Sequence, residues 1–207
     1  MLSANEIEEG LALGRESRWL EVKGPGSRTE DHMVAKVAHA ALGLGNLRDG
    51  GHVVIGIDDS AVSSLLPGLS DEQLASWVAH DDLARKLANY ADPPLDFSVA
   101  AVDLSSGAKV AVIEVFEFTD IPHFCARDYG DVLEKGKLYV RPRRAPETAV
   151  VPSSVEMREV VELAIEKRLR SYVETAERAN VVLRSERSQA PSDTEQYEAE
   201  AAEVWDG

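Results

Sequence analysis

The chain has 207 residues, 44% of them hydrophobic, with 37 acids against 22 lysines and arginines and a net charge of -15. That length suits one domain plus a tail or two small domains. The acidic balance excludes a wholesale electrostatic grip on nucleic acid, so any basic surface is local. The single cysteine, Cys125, excludes an intramolecular disulfide and a cysteine-built zinc site.

Residues 188–207 hold six acids and no lysine or arginine. The body stays acidic without them. The first residues lack the basic and apolar regions of a secretion signal. No apolar run approaches a membrane span. A cytoplasmic protein with no membrane partner is the expectation.

In chain order, residues 3–13 predict a short helix, with Ser3 and Glu6 at capping-box spacing. Residues 18–23 alternate Trp19, Glu21 and Lys23 against Leu20 and Val22, a strand whose Glu21 and Lys23 share one face. Gly24-Pro25-Gly26 ends it. Residues 29–46 repeat Met33, Val34, Val37, Ala38, Ala41 and Leu44 at helical spacing. Asp49-Gly50-Gly51 is a turn. The apolar run Val53-Val54-Ile55 then predicts a strand covered on both faces, ending at Asp58-Asp59.

Residues 61–69 predict a loop, and 70–90 a helix capped by Ser70 or Asp71 and stopped by Asp92-Pro93-Pro94. Strands follow at 95–103 and 108–115 around the Ser105-Ser106-Gly107 turn. Residues 119–136 look irregular. Lys137 to Arg141 predicts a short strand running into Pro142-Arg143-Arg144, the densest basic patch. A last helix starts at Ser153 and keeps its apolar period to about residue 178. From about 186 the composition predicts disorder.

The carboxylates at both ends of the stretch from Glu16 to Asp59 carry the first chemical reading. Two or three carboxylates brought together bind a hard divalent cation, and such a site activates water for phosphodiester cleavage. Lys23, beside Glu21, can hold a phosphate. The same acids also suit solvated charge near strand ends. Arg141, Arg143 and Arg144 suit phosphate contacts, and Tyr139 can stack on a base. The alternative there is a strand edge kept soluble by charge. His123 and Cys125 suit buried residues better than a catalytic pair. Gly43-Leu-Gly45 lies at a helix end, and Leu138 follows Gly136-Lys137 where a phosphate loop needs Ser or Thr, so neither makes a nucleotide fingerprint.

Taken together, Glu16-x4-Glu21-Val-Lys23, the helix ending at Asn46, the run from Asp49-Gly50-Gly51 through Ile55-Gly56-Ile57 to Asp58-Asp59, and Tyr139-Val140-Arg141 resemble the Schlafen AlbA-like domain. The likeness covers about residues 8–165. The family is widespread in bacteria and is commonly described as DNA-binding. In the animal Schlafen proteins, two such lobes form a metal-dependent endoribonuclease acting on transfer and ribosomal RNA. Its site has two glutamates five apart and an aspartate after the glycine-led strand. The resemblance puts Glu16 and Glu21 on the glutamates and Asp59, ahead of Asp58, on the aspartate. Lys23 matches the lysine of the Glu-Phe-Lys pattern, with Val22 in place of Phe. The Cys/His zinc site of the animal proteins has no counterpart.

The expected fold is therefore α+β, a mixed β-sheet flanked by helices. Residues 1–180 form a single Schlafen AlbA-like domain with a long C-terminal helix, and residues 186–207 an acidic tail. The expected function is nucleic-acid processing by an endoribonuclease acting on tRNA-like structured RNA, in a bacterial stress or phage-defence setting. Glu16, Glu21 and Asp59 are the catalytic candidates, and with Asp58 the ligands of Mg or Mn. Lys23, Tyr139, Arg141, Arg143 and Arg144 are the nucleic-acid contacts, with RNA favoured over DNA. One lobe implies a homodimer or a partner subunit. The alternatives are a non-catalytic DNA- or RNA-binding module, or a subunit of a larger assembly that docks through its tail and long helix.

Overall fold

The computed structural model describes residues 2–12, 17–145 and 147–179. Glu16 and the tail at 186–207 lie outside the described residues. The chain divides into two units, Met1–Arg168 and Leu169–Gly207. The sheet belongs to the first.

The elements are α1 (Ala4–Ala12), β1 (Leu20–Lys23), α2 (Asp31–Gly45), β2 (Gly51–Ile55), a 3-10 helix (Asp59–Ser64), α3 (Asp71–Val78), α4 (His80–Leu87), β3 (Ala91–Asp92), β4 (Phe97–Asp103), β5 (Lys109–Val115), β6 (Phe124–Cys125), β7 (Tyr139–Val140), β8 (Ala149–Val150) and α5 (Ser154–Arg178). The main sheet has the order β1-β2-β5-β4. β1 and β2 run parallel, and the other neighbours are antiparallel. Parallel neighbours need a crossover, and α2 supplies it. The fold is α+β with a mixed sheet, as expected.

The run Val53-Val54-Ile55 is buried on both faces of the sheet. On one side Val53 and Ile55 pack with Val34, Val37 and Ala41 of α2 and with Trp77. On the other, Val54 packs with Leu20, Val22 and the α1 residues Ile7 and Leu11. The turn into β2 uses positive φ at Asp49 and Gly50. A Cβ at Gly50 would lie 2.1 Å from the Val115 carbonyl oxygen, so only glycine fits there.

Four details depart from the sequence expectation. The helix expected over 70–90 breaks at Ala79, whose ψ of 83° is not helical. There His80 stacks on Phe97 with ring centroids 5.0 Å apart, and Asp81 and Asp82 open a second helix. The loop expected over 61–69 begins inside the 3-10 helix. The irregular stretch 119–136 contains β6, which pairs with β3. The last helix also turns inward differently than its apolar period suggested. Val160 and Leu163 are buried, while Met157, Val161 and Ile165 stay exposed.

Ser70 caps α3 with a complete capping box. Its Oγ accepts from the Gln73 amide at 3.2 Å, and the Gln73 side chain accepts from the Ser70 amide at 3.0 Å. Ser70→Ala is expected to cost about 1 kcal/mol, read as a lower urea midpoint with an unchanged slope. No helix among the described residues is long and apolar enough to cross a membrane.

Candidate functional site

The site starts from the alternation in β1. Glu21 and Lys23 stand opposite Val53 and Ile55 in the parallel register, so they face the α2 side of the sheet. Glu21 is only 6% exposed. One of its carboxylate oxygens accepts from Lys23 Nζ, the other from Arg141 Nη1. Arg141 follows β7 and is 0% exposed. Its Nη2 donates to the Ser17 and Leu20 carbonyls, each at 3.1 Å. Hydrogen bonds to the remaining polar atoms offset the cost of burying a charge pair, and these carbonyls do so for Nη2.

α2 closes the cluster with His39. Its ring meets Tyr139 edge-on, centroids 4.8 Å apart. Burial pushes the His39 imidazole down to about 4, the charge of Lys23 adds to this, Glu21 opposes it, and Arg141 lowers it further. His39 is therefore a neutral wall to the charged pair at pH 7. At the end of α2, buried Asn46 donates to the His123 and Tyr139 carbonyls at 2.8 and 3.0 Å and accepts from the His123 amide at 2.8 Å. It ties the β7 segment to the helix and so fixes where Arg141 enters.

The structure sorts the expected site residues into two groups. Tyr139 is 3% exposed, and its hydroxyl accepts from the Glu134 amide at 2.9 Å. With Arg141 also buried, neither side chain is presented to a nucleic acid. Both were expected at the surface because a charged or aromatic residue at a strand end looks solvent-facing. Their partners lie far away in the chain. Arg143 and Arg144 are exposed. Arg143 donates to Glu159 of α5.

Asp58 and Asp59 are exposed just beyond β2. A Cβ at Gly24 would lie 2.8 Å from Asp58 Oδ1, so the Asp58 carboxylate sits against the residue that follows Lys23. Asp59 opens the 3-10 helix. Asp58 thus lies beside the Glu-x-Lys strand, although the sequence favoured Asp59. Among the described residues, no three His, Cys, Asp or Glu side chains converge closely enough to hold a metal ion. The expected metal set is therefore not assembled from Glu21, Asp58 and Asp59 in this arrangement.

Sequence reasoning missed His39, Arg18, Thr148 and Glu159. Arg18 donates to the Arg141 carbonyl at 2.6 Å and also to Glu159. The Thr148 hydroxyl lies 3.4 Å from Arg141 Nη1. Only the helical phase of His39 on α2 was available beforehand, and phase alone does not reveal what a side chain faces.

The mixed sheet with its flanking helices makes this an α+β domain, in which a glutamate–lysine strand is locked to a distant arginine. The chain belongs to the Schlafen, AlbA_2 family, whose profile matches residues 16–149. The family points to a nucleic-acid-related function. No curated protein matches the chain. Among solved structures it is similar to the DIP2311 protein of Corynebacterium diphtheriae, at 18% identity and a TM-score of 0.47 over 72% of this chain. The match covers 26% of that protein, so the chain spans about a quarter of its length. It is also similar to the N-terminal domain of a protein of Nitrosomonas europaea described as related to the ATP-dependent DNA helicase RecG. There the identity is 21% and the TM-score 0.47, over 70% of this chain and 94% of that domain.

Proposed function

We propose that this chain is a nucleic-acid-binding domain that takes structured RNA through phosphate contacts, and that Glu21 serves its architecture. The observation that carries this is the occupancy of Glu21. Both of its oxygens are engaged, one by a guanidinium with no exposed surface. Releasing Glu21 to another cation would leave the Arg141 charge buried and unpaired, which is costly. Arg144 is an exposed cation of the basic patch and the candidate backbone contact. A second copy or a partner subunit would supply the other half of a clamp.

The test is fluorescence anisotropy with a labelled RNA hairpin and a DNA duplex of matched length. Binding should weaken steeply between about 50 and 200 mM salt and be indifferent to chelator. Arg144→Ala should reduce the salt slope by about one. No salt-dependent binding to either probe sinks the reading.

A second reading, the Mg- or Mn-dependent endoribonuclease, draws on one specific observation. The Asp58 carboxylate lies against Gly24, which follows Lys23 at the end of the strand and stands three residues after Glu21. Its test is cleavage of total transfer RNA with Mn²⁺ beside Asp58→Asn and Asp59→Asn. These side chains are exposed, so the variants leave the buried pair intact, whereas Glu21→Gln disturbs it. Metal-dependent cleavage lost in either variant would replace the binding reading with this one.

A further inference from the structure

On the other side of Arg141 lies a cavity of about 210 Å³ between β7, the end of α2 and the first half of α5. Four arginines line it: Arg18, Arg48, Arg141 and Arg143. Arg141 is fully buried, and the Nε of its guanidinium has no hydrogen-bond partner. A fully buried donor without an acceptor is uncommon and calls for an explanation. Glu159 of α5 also lines the cavity and is held there from two sides, by Arg18 Nη2 and by Arg143 Nε. Burial would raise its carboxyl, but the hydrogen bond and charge of Arg18, then those of Arg143, outweigh burial and hold it below its usual value.

Two of the other lining charges already have partners. Glu156 accepts from Ser153 at the start of α5. Arg48 donates to Glu166 at 2.7 Å. Glu162 adds a further acid to the lining. Arg18 and Arg143 therefore share a single anion, and that anion comes from the chain itself.

We infer that this cavity is a phosphoryl-binding site in which the Glu159 carboxylate holds the place of the ligand. A phosphoryl group offers three acceptor oxygens where a carboxylate offers two. It can engage Arg18 and Arg143 as Glu159 does and leave an oxygen for a third donor. Binding then requires the α5 carboxylate to give way, so α5 acts as an internal competitor. The RNA arm of the test rests on the binding function proposed above; the inorganic arm does not.

The experiment compares wild type, Glu159→Ala and Glu159→Ala/Arg143→Ala. Inorganic pyrophosphate is the first probe, read by thermal shift. Glu159→Ala is expected to gain a pyrophosphate-dependent rise in melting temperature that wild type lacks. The double variant should lose it. The labelled RNA hairpin is the second probe. Glu159→Ala should bind about tenfold tighter, the equivalent of one charge-assisted hydrogen bond, and its salt slope should steepen by about one. Should Glu159→Ala fold poorly, Glu159→Gln keeps the volume and removes the charge. A gain with pyrophosphate alone keeps the cavity, assigns it to free phosphates and removes nucleic acid as its source. No gain with either probe in a folded variant overturns the inference, while wild-type RNA binding would still stand or fall on its own. A gain that survives Arg143→Ala also overturns it, because it then reflects net charge and not this site.

Discussion

Arg141→Met is expected to destabilise the first unit by about 3–5 kcal/mol, the cost of breaking a buried ion pair from one side. Arg141 is 0% exposed, so its charge is met by the protein and not by solvent. Glu21 would keep Lys23 but lose its second cation. The Ser17 and Leu20 carbonyls would lose the donor that serves them at 3.1 Å. Buried acceptors left unpaired cost more than the bonds themselves contributed. Urea unfolding should show a large fall in midpoint with little change in slope. The double variant Glu21→Gln/Arg141→Met should recover part of the loss, since the charge and its partner go together. A single-variant loss below about 1 kcal/mol, the range of exposed pairs, would show that the pair is solvated in solution.

Stability should also fall between pH 6.5 and 4 because of His39. In the unfolded chain His39 takes a proton near its ordinary value of 6.5, whereas in the fold it takes one only at about 4. Across that window the unfolded state binds more protons, so stability declines as pH falls and the effect is complete below about 4. Its full size is about 3 kcal/mol at most, from the shift and the energy of one pKa unit. Burial lowers His52 and His123 as well, so they act in the same direction. His39→Gln should therefore flatten part of the acid slope in urea melts taken from pH 7 to 4. A variant whose slope matches wild type would mean that His39 titrates freely in the fold. The charge that protonation adds would stand beside Lys23 and Arg141, so acid works against the same cluster that Arg141→Met removes.

The sequence revealed the parts of this fold that depend on neighbouring residues. The period of two in Trp19 to Lys23 placed Glu21 and Lys23 on one face. The unbroken Val53-Val54-Ile55 run predicted a strand covered twice. Asp49-Gly50-Gly51 gave the turn, and Ser70 and Ser153 marked helix starts. What escaped depends on distant residues. The break at Ala79 follows from His80 meeting Phe97, seventeen positions away. The two-residue strands β3 and β6 form by pairing Ala91 with Cys125 and Asp92 with Phe124, far apart in the chain. Arg141 looked like a solvent-facing phosphate contact because nothing near it in the chain shows that Glu21, 120 positions earlier, is its counterion. For the candidate site, periodicity gave the face and the charges but not their pairing.

The separation between Glu21 and Arg141 bears on how the protein is made. The four strands of the main sheet are all present once Val115 has been synthesised. A nascent chain at that length can assemble β1, α2 and β2 while the ribosome is still adding residues. Domains do begin to form in this N-terminal-first order. Yet Glu21 then lies beneath α2 with Lys23 as its one cation, and Asn46 lacks both the His123 and the Tyr139 carbonyls. The early sheet is incomplete in charge as well as in packing. Arrival of the segment through Arg141 supplies the guanidinium and the two carbonyls together. A stretch translated only after the whole sheet is thus the one that locks the first strand in place.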